Sequence, residues 1–195
     1  MIKKQDLTAV ILAGGKSIRF GSPKEFAYIQ VESLLDNALN IAKKISSHVM
    51  IIAGNKHFVG EKNIPIHQDL YENCGPVCGI YTALYYSDSP YIAVLPCDMP
   101  LLDPDIYKLL RTLQVKDYVI VATFQGKIQP LISIWPKAIA KDLKKMIDSK
   151  ILSLRKILNQ LNVQKVDLSK YEATNNPDIF CNINYKSDLK ILKNR

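Results

Sequence analysis

A chain of 195 residues with 48% hydrophobic and 23% charged side chains is long enough to bury a core without disulfide staples and lies near the soluble globular average. No apolar stretch approaches the roughly 20 residues that a membrane-crossing helix needs. The opening residues lead into a short apolar run stopped by Gly14-Gly15, which is not the pattern of a secretory signal, so a cytoplasmic protein with no membrane partner is expected. The formal net charge of +8 admits anionic ligands, but the lysines are scattered at helical spacings, with no run of five like charges and no aromatic-interleaved basic stripe. Nucleic acid is therefore not expected as a partner.

In chain order, Ala9-Val10-Ile11-Leu12 is a continuous apolar run ending at Gly14-Gly15, the pattern of a buried strand and a tight loop. Leu34, Leu35, Ala38, Ile41, Ala42 and Ile45 recur at three- and four-residue spacing and predict an amphipathic helix over about 33–45. Residues 49–53 read as a second buried strand, and residues 64–66 as a short one before a loop over 69–78. Residues 79–86 read as a helix and residues 91–95 as a third apolar strand, which breaks into Pro96-Cys97-Asp98-Met99-Pro100. Asp103 followed by Pro104 marks a capped helix start. Further strands are predicted over 118–123, 128–135 and 163–167, helices over 136–147 and 154–161 with Ser153 as cap, a short extended piece over 180–184, and a last helix from Ser187.

Apolar strands alternating with amphipathic helices predict an α/β fold with a mostly parallel sheet covered on both faces. No repeat or linker divides the chain, so residues 1–195 are expected to form one domain. The four cysteines, Cys74, Cys78, Cys97 and Cys181, lack zinc-site spacing and are expected to be small buried thiols. His48, His57 and His67 lie outside the strongest motifs.

Ligands of such sheets bind beyond the carboxyl ends of the strands. Glycines 14, 15 and 21 let backbone N–H groups approach phosphate oxygens, while Arg19 and Lys24 supply positive charge. A P-loop is excluded because Val10 stands where its first glycine belongs, and Gly14-Gly15-Lys16 does not fit a dinucleotide fingerprint. Asp98, directly after an apolar strand, is placed either to hold Mg²⁺ or to form an Asp turn. Gly75 and Gly79, four apart before the predicted helix, suit either a base or ribose against backbone or an ordinary helix start. Asn182 and Asn184 are two apart, so in extended chain both amides point to one side.

Leu12-Ala13-Gly14-Gly15-x-Ser17-x-Arg19-Phe20-Gly21-x-x-Lys24, followed by Gly75-Pro76-x-x-Gly79, Cys97-Asp98-Met99-Pro100, Gln129-Pro130-Leu131 and Asn182-Ile183-Asn184, resembles the molybdenum cofactor guanylyltransferases over residues 8–190. The resemblance implies a three-layer Rossmann-like nucleotidyltransferase fold, with GTP bound by the N-terminal part and molybdopterin by the C-terminal part. It implies that GMP passes from GTP to the phosphate of molybdopterin with Mg²⁺ as cofactor and pyrophosphate as product. By likeness, Leu12, Ala13, Gly14, Gly15, Lys24, Asp69, Gly75, Gly79 and Asp98 bind GTP, with Arg19 and Gly21 shaping the same site. Arg19, Lys24 and Asp98 are the expected catalytic groups, Asp98 is the metal ligand, and Asn182 and Asn184 face molybdopterin.

Gly14, where related cytidylyltransferases carry Ala, favours guanine. Phe20, Pro23 and Tyr185 depart from the residues usual in the family at those positions. A cytidylyltransferase or sugar-phosphate nucleotidyltransferase on the same fold is the enzymatic alternative. A molybdopterin delivery protein is the non-enzymatic one. Molybdoenzymes or other cofactor-biosynthesis proteins are the protein partners implied.

Overall fold

A computed structural model describes residues 2–14, 20, 24–29, 32–55, 63–113, 115–171 and 177–189. Along the chain these form β1 (Leu7–Leu12), the hairpin strands β2 (Tyr28–Ile29) and β3 (Glu32–Ser33), α1 (Leu34–Ile45), β4 (His48–Ile52), β5 (Ile66–His67) and α2 (Pro76–Tyr86). There follow β6 (Tyr91–Pro96), α3 (Asp105–Thr112), β7 (Val119–Phe124), β8 (Lys127–Pro136), α4 (Ala140–Asp148), α5 (Leu154–Leu158) and β9 (Val163–Asp167).

The seven strands of the main sheet lie in the order β5-β4-β1-β6-β8-β7-β9. All pairings are parallel except those of β8, which runs against both β6 and β7. The reversal follows from the turn at Gln125 and Gly126. Both have positive φ, 48° and 73°, and so make the tight turn whose twist suits an antiparallel hairpin. The mostly parallel α/β sheet predicted from the sequence is the one observed.

Successive strand residues serve opposite layers, as a two-residue period requires. In β6, Ala93 and Leu95 pack with Leu34, Leu39 and Ile106 on one face. Ile92 and Val94 pack with Ile80, Leu84 and Leu143 on the other. Helices α1 and α3 thus cover one side of the sheet, and α2, α4 and α5 the other. The strands buried on both faces are the continuous apolar runs of the sequence. Among the described residues no helix is long and apolar enough to cross a membrane.

Most predicted elements occur within a residue or two of their expected ends, and the exceptions have local causes. Helix α2 begins at Pro76 rather than residue 79, because Gly75 turns the chain at φ 62° and Pro76 fills the first helical position, where an N–H is not needed. Gly79 therefore lies within the helix and not before it. Residues 180–184 form no strand: a 3-10 turn spans Pro177–Phe180, and the Ile183 N–H donates to the Asp98 carbonyl at 2.8 Å. Helix α5 stops at Leu158, and the Ser153 hydroxyl makes no capping bond. The first helix is capped as its sequence allows, with Ser33 Oγ accepting from the Asp36 N–H at 3.1 Å while Asp36 Oδ2 accepts from the Ser33 N–H. Helix α3 begins at Asp105 with Pro104, not Asp103, in the capping position, while Asp103 Oδ1 accepts the Asp105 N–H at 2.8 Å from one residue further out.

Candidate active site

The ladder of the parallel strands continues one step beyond their carboxyl ends. The Ala13 N–H donates to the Ile52 carbonyl at 2.8 Å, Ala53 to His67 at 2.9 Å, and Asp69 to Gly54 at 2.9 Å. These bonds hold the segments after β1, β4 and β5 side by side, and a cleft of about 500 Å³ opens over them. Leu12, Ala13, Gly14, Lys24, Asp69, Gly75, Gly79 and Asp98 all line it. Every described residue assigned to GTP by likeness is therefore brought to one place. Gly15, Arg19 and Gly21 lie outside the described residues.

Lys24 reaches the cleft from a 3-10 turn over Lys24–Phe26, and Asp98 from the turn directly after β6. Lys24 Nζ donates to Asp98 Oδ2 at 2.6 Å, with the two side chains 18% and 20% exposed. A cation and a carboxylate 74 positions apart in sequence thus meet across the cleft. Among the described residues no cluster of three His, Cys, Asp or Glu side chains could enclose a metal ion. A single carboxylate at the mouth of a cleft still fits Mg²⁺, which takes one or two protein oxygens and completes its shell with water and substrate phosphates.

Asp69 has a different environment. Its Oδ1 is buried without a hydrogen-bond partner, and burial pushes the carboxyl up to about 6. Gly79 lies beside it: a Cβ there would touch Oδ1 at an ordinary contact distance of 3.6 Å and would approach Leu12 Cδ2 more tightly, at 3.0 Å. A buried acceptor without a donor costs free energy that a ligand N–H can recover.

Asn182 and Asn184 are exposed and do not line the cleft. The buried Ile183 between them is tied to Asp98 through its backbone, so the pair stands beside the cation–carboxylate contact. From the Gln129-Pro130-Leu131 motif, Leu131 reaches the cleft. Sequence reading missed Glu25, Gly54, Asn55 and Asn73, which also line it. Gly54-Asn55 follows the second buried run as Gly14-Gly15 follows the first, a parallel that could have flagged it. Asn73 is marked by φ 58°, which no sequence pattern announces. Cys74 and Cys78 sit beside this wall. Burial and a hydrogen bond with Cys74 push the Cys78 thiol well up, and none of the four cysteines forms a disulfide.

A mostly parallel sheet whose strand ends carry a glycine-lined cleft, with a lysine paired to a carboxylate, suits a nucleoside triphosphate, and the class it defines is the Rossmann-like nucleotidyltransferases. The chain belongs to the MobA-like NTP transferase domain family, which matches residues 9–166. It is 31% identical over 195 residues to a probable molybdenum cofactor guanylyltransferase of Carboxydothermus hydrogenoformans, covering 97% of this chain and 96% of that one. It is 31% identical over 193 residues to another of that name from Bacillus subtilis, covering 95% and 94%. The crystal structure of molybdopterin-guanine dinucleotide biosynthesis protein A from Archaeoglobus fulgidus shares the fold with TM-score 0.80 at 21% identity, over 96% of this chain and 97% of that one.

Proposed function

We propose that the chain transfers the GMP moiety of GTP to the phosphate of molybdopterin, forming molybdopterin guanine dinucleotide and releasing pyrophosphate. The observation that carries this reading is the meeting of Lys24, Asp98 and Asp69, with its unpartnered Oδ1, in one cleft, in a chain 31% identical to probable guanylyltransferases along nearly its whole length.

The reaction brings two anions together. A phosphate oxygen of molybdopterin attacks the α-phosphorus of GTP, and the bond from that phosphorus to the pyrophosphate oxygen breaks in line. The protein's part is orientation and charge neutralisation, with no covalent intermediate needed. The Gly14 backbone admits the triphosphate close to the main chain. Lys24 leaves Asp98 for a phosphate oxygen, so that one cation neutralises a carboxylate before binding and a phosphate after it. Arg19 and Gly15 complete the anion cradle in this reading. Asp98, thus released, is the residue that would hold Mg²⁺, which would withdraw charge from the triphosphate when bound. Asp69 accepts from guanine N1–H and the 2-amino group, donors that no other common base offers side by side. Gly75 and Gly79 let the nucleoside lie against backbone. Asn182 and Asn184 bind molybdopterin next to the reacting phosphates, so residues 1–195 act as one domain with a nucleotide side and an acceptor side.

Incubation with molybdopterin, Mg²⁺ and each of GTP, CTP and UTP, followed by mass analysis, tests the reading. The guanine dinucleotide is the expected product. A cytidine dinucleotide, or unchanged molybdopterin with GTP, would remove it.

A further inference from the structure

Gly54 stands between two walls of the cleft. It is buried, at the second position after β4, with φ 62°. On one side its Cα face touches Gly14: a Cβ at Gly54 would lie 2.8 Å from Gly14 Cα, and a Cβ at Gly14 would lie 2.7 Å from Gly54 Cα. On the other side its carbonyl accepts the Asp69 N–H at 2.9 Å. Both contacts are backbone to backbone, so neither can be relieved by turning a side chain.

We propose that Gly54 is a positioning residue for the nucleobase, its backbone fixing the separation between the Asp69 carboxylate and the Gly14 wall. The inference rests on the reading of Asp69 as the guanine contact. A methyl group at Gly54 needs at least 3.4 Å for ordinary contact, so its 2.8 Å approach to Gly14 forces a displacement of 0.6 Å or more. Binding groups work within about 0.5 Å of their productive geometry. The displaced segment carries Asp69 with it through the hydrogen bond from the Asp69 N–H to the Gly54 carbonyl, or opens the Gly14 side. In either case the base no longer meets its acceptor and the phosphate loop together.

The test is steady-state release of pyrophosphate by the full chain, with molybdopterin as acceptor and GTP or ITP as donor, ITP lacking the 2-amino group. Gly54→Ala is expected to raise the KM for GTP about tenfold, to change kcat less, and to lower the preference for GTP over ITP towards unity. Gly54→Asn carries the same Cβ on a residue type that tolerates left-handed backbone, and it is expected to show the same loss. Wild-type KM and base preference in Gly54→Ala, or their recovery in Gly54→Asn, would overturn the proposal. If Asp69→Asn removes the preference while Gly54→Ala keeps it, the base reading stands and the role of Gly54 falls. A wild-type enzyme with no preference ends both. Should neither variant fold, hydrogen exchange of the Asp69 amide in the wild type decides: GTP is expected to slow it about tenfold, and an unchanged rate overturns the positioning role.

Discussion

Lys24 Nζ lies 2.6 Å from Asp98 Oδ2, each side chain about four-fifths shielded from solvent. The pair joins the end of the glycine-rich segment to the turn after β6. The contact compensates the Asp98 carboxylate, and in the proposed reaction this lowers the repulsion that an incoming triphosphate would meet.

Removing either member is expected to damage catalysis far more than folding. Lys24→Ala should lower kcat/KM for GTP by about 10²- to 10³-fold, and Asp98→Ala should abolish Mg²⁺-dependent pyrophosphate release. Thermal unfolding of either variant should shift by about 1–2 kcal/mol, because the remaining charge loses its partner at a site only one-fifth exposed. Asp98→Ala with wild-type turnover would take Asp98 out of the metal site.

Asp69 gives a dependence on pH whose sign differs between stability and binding. Its carboxyl is raised by burial from 3.8 to about 6, so the fold holds this proton more tightly than the unfolded chain does. The associated stability is fully present below the unfolded value and is lost as pH rises through the folded one. Asp69→Asn should therefore stabilise the protein near pH 8 by about 1 kcal/mol, a figure already reduced for partial exposure, and should give no gain near pH 4. Binding runs the other way, since only the ionised carboxylate accepts both guanine donors. KM for GTP should climb as pH falls below about 6, and Asp69→Asn should flatten that rise. Denaturant titrations at the two pH values and a KM profile measure both.

Much of this arrangement was legible before any coordinates. The strands of residues 9–12, 49–53 and 91–95 are apolar on both faces because helices cover both, and such runs declare themselves. The cleft residues Gly14, Lys24 and Asp98 were legible because their chemistry requires particular residue types directly after strands. Helix α2 starts three residues before the predicted residue 79, because Gly75-Pro76 has the composition of a loop while proline at the first helical turn is also a start signal. Residues 180–184 alternate like a strand, with Ile183 buried between exposed asparagines, but no neighbouring strand accepts them. The partner of Ile183 is the Asp98 backbone, a contact between distant positions that local pattern does not encode. Gly54 escaped notice for the same reason, since its requirement for glycine comes from Gly14, 40 positions earlier.

Gly79 separates stability from binding in a single substitution. It lies inside α2, where Ala is favoured over Gly by about 0.5–1 kcal/mol. The added methyl meets Leu12 Cδ2 at 3.0 Å, and this flexible side-chain end can give way by a few tenths of an ångström. The two effects oppose each other, so Gly79→Ala should leave unfolding within about 0.5 kcal/mol of wild type. The same methyl would touch Asp69 Oδ1, 3.6 Å away, beside the acceptor proposed for the base. KM for GTP should rise about tenfold with Tm nearly unchanged, and calorimetry beside initial rates checks the pair.

The asparagines at the acceptor side should respond to molybdopterin and not to GTP. Both are exposed, and their positions are fixed by the buried Ile183 and its backbone bond to Asp98 rather than by their own side chains. Truncating an exposed amide leaves that anchor in place, so Asn182→Ala and Asn184→Ala should fold and bind GTP as the wild type does. Loss of one hydrogen bond to an anionic or polar ligand amounts to about 1–2 kcal/mol, or roughly a tenfold rise in KM for molybdopterin. The two amides act on one ligand from adjacent positions, so the double variant should depart from the product of the single effects. Equal changes in both substrates' KM would instead place the asparagines on a wall common to the whole cleft, and unchanged KM for molybdopterin would leave them as surface residues.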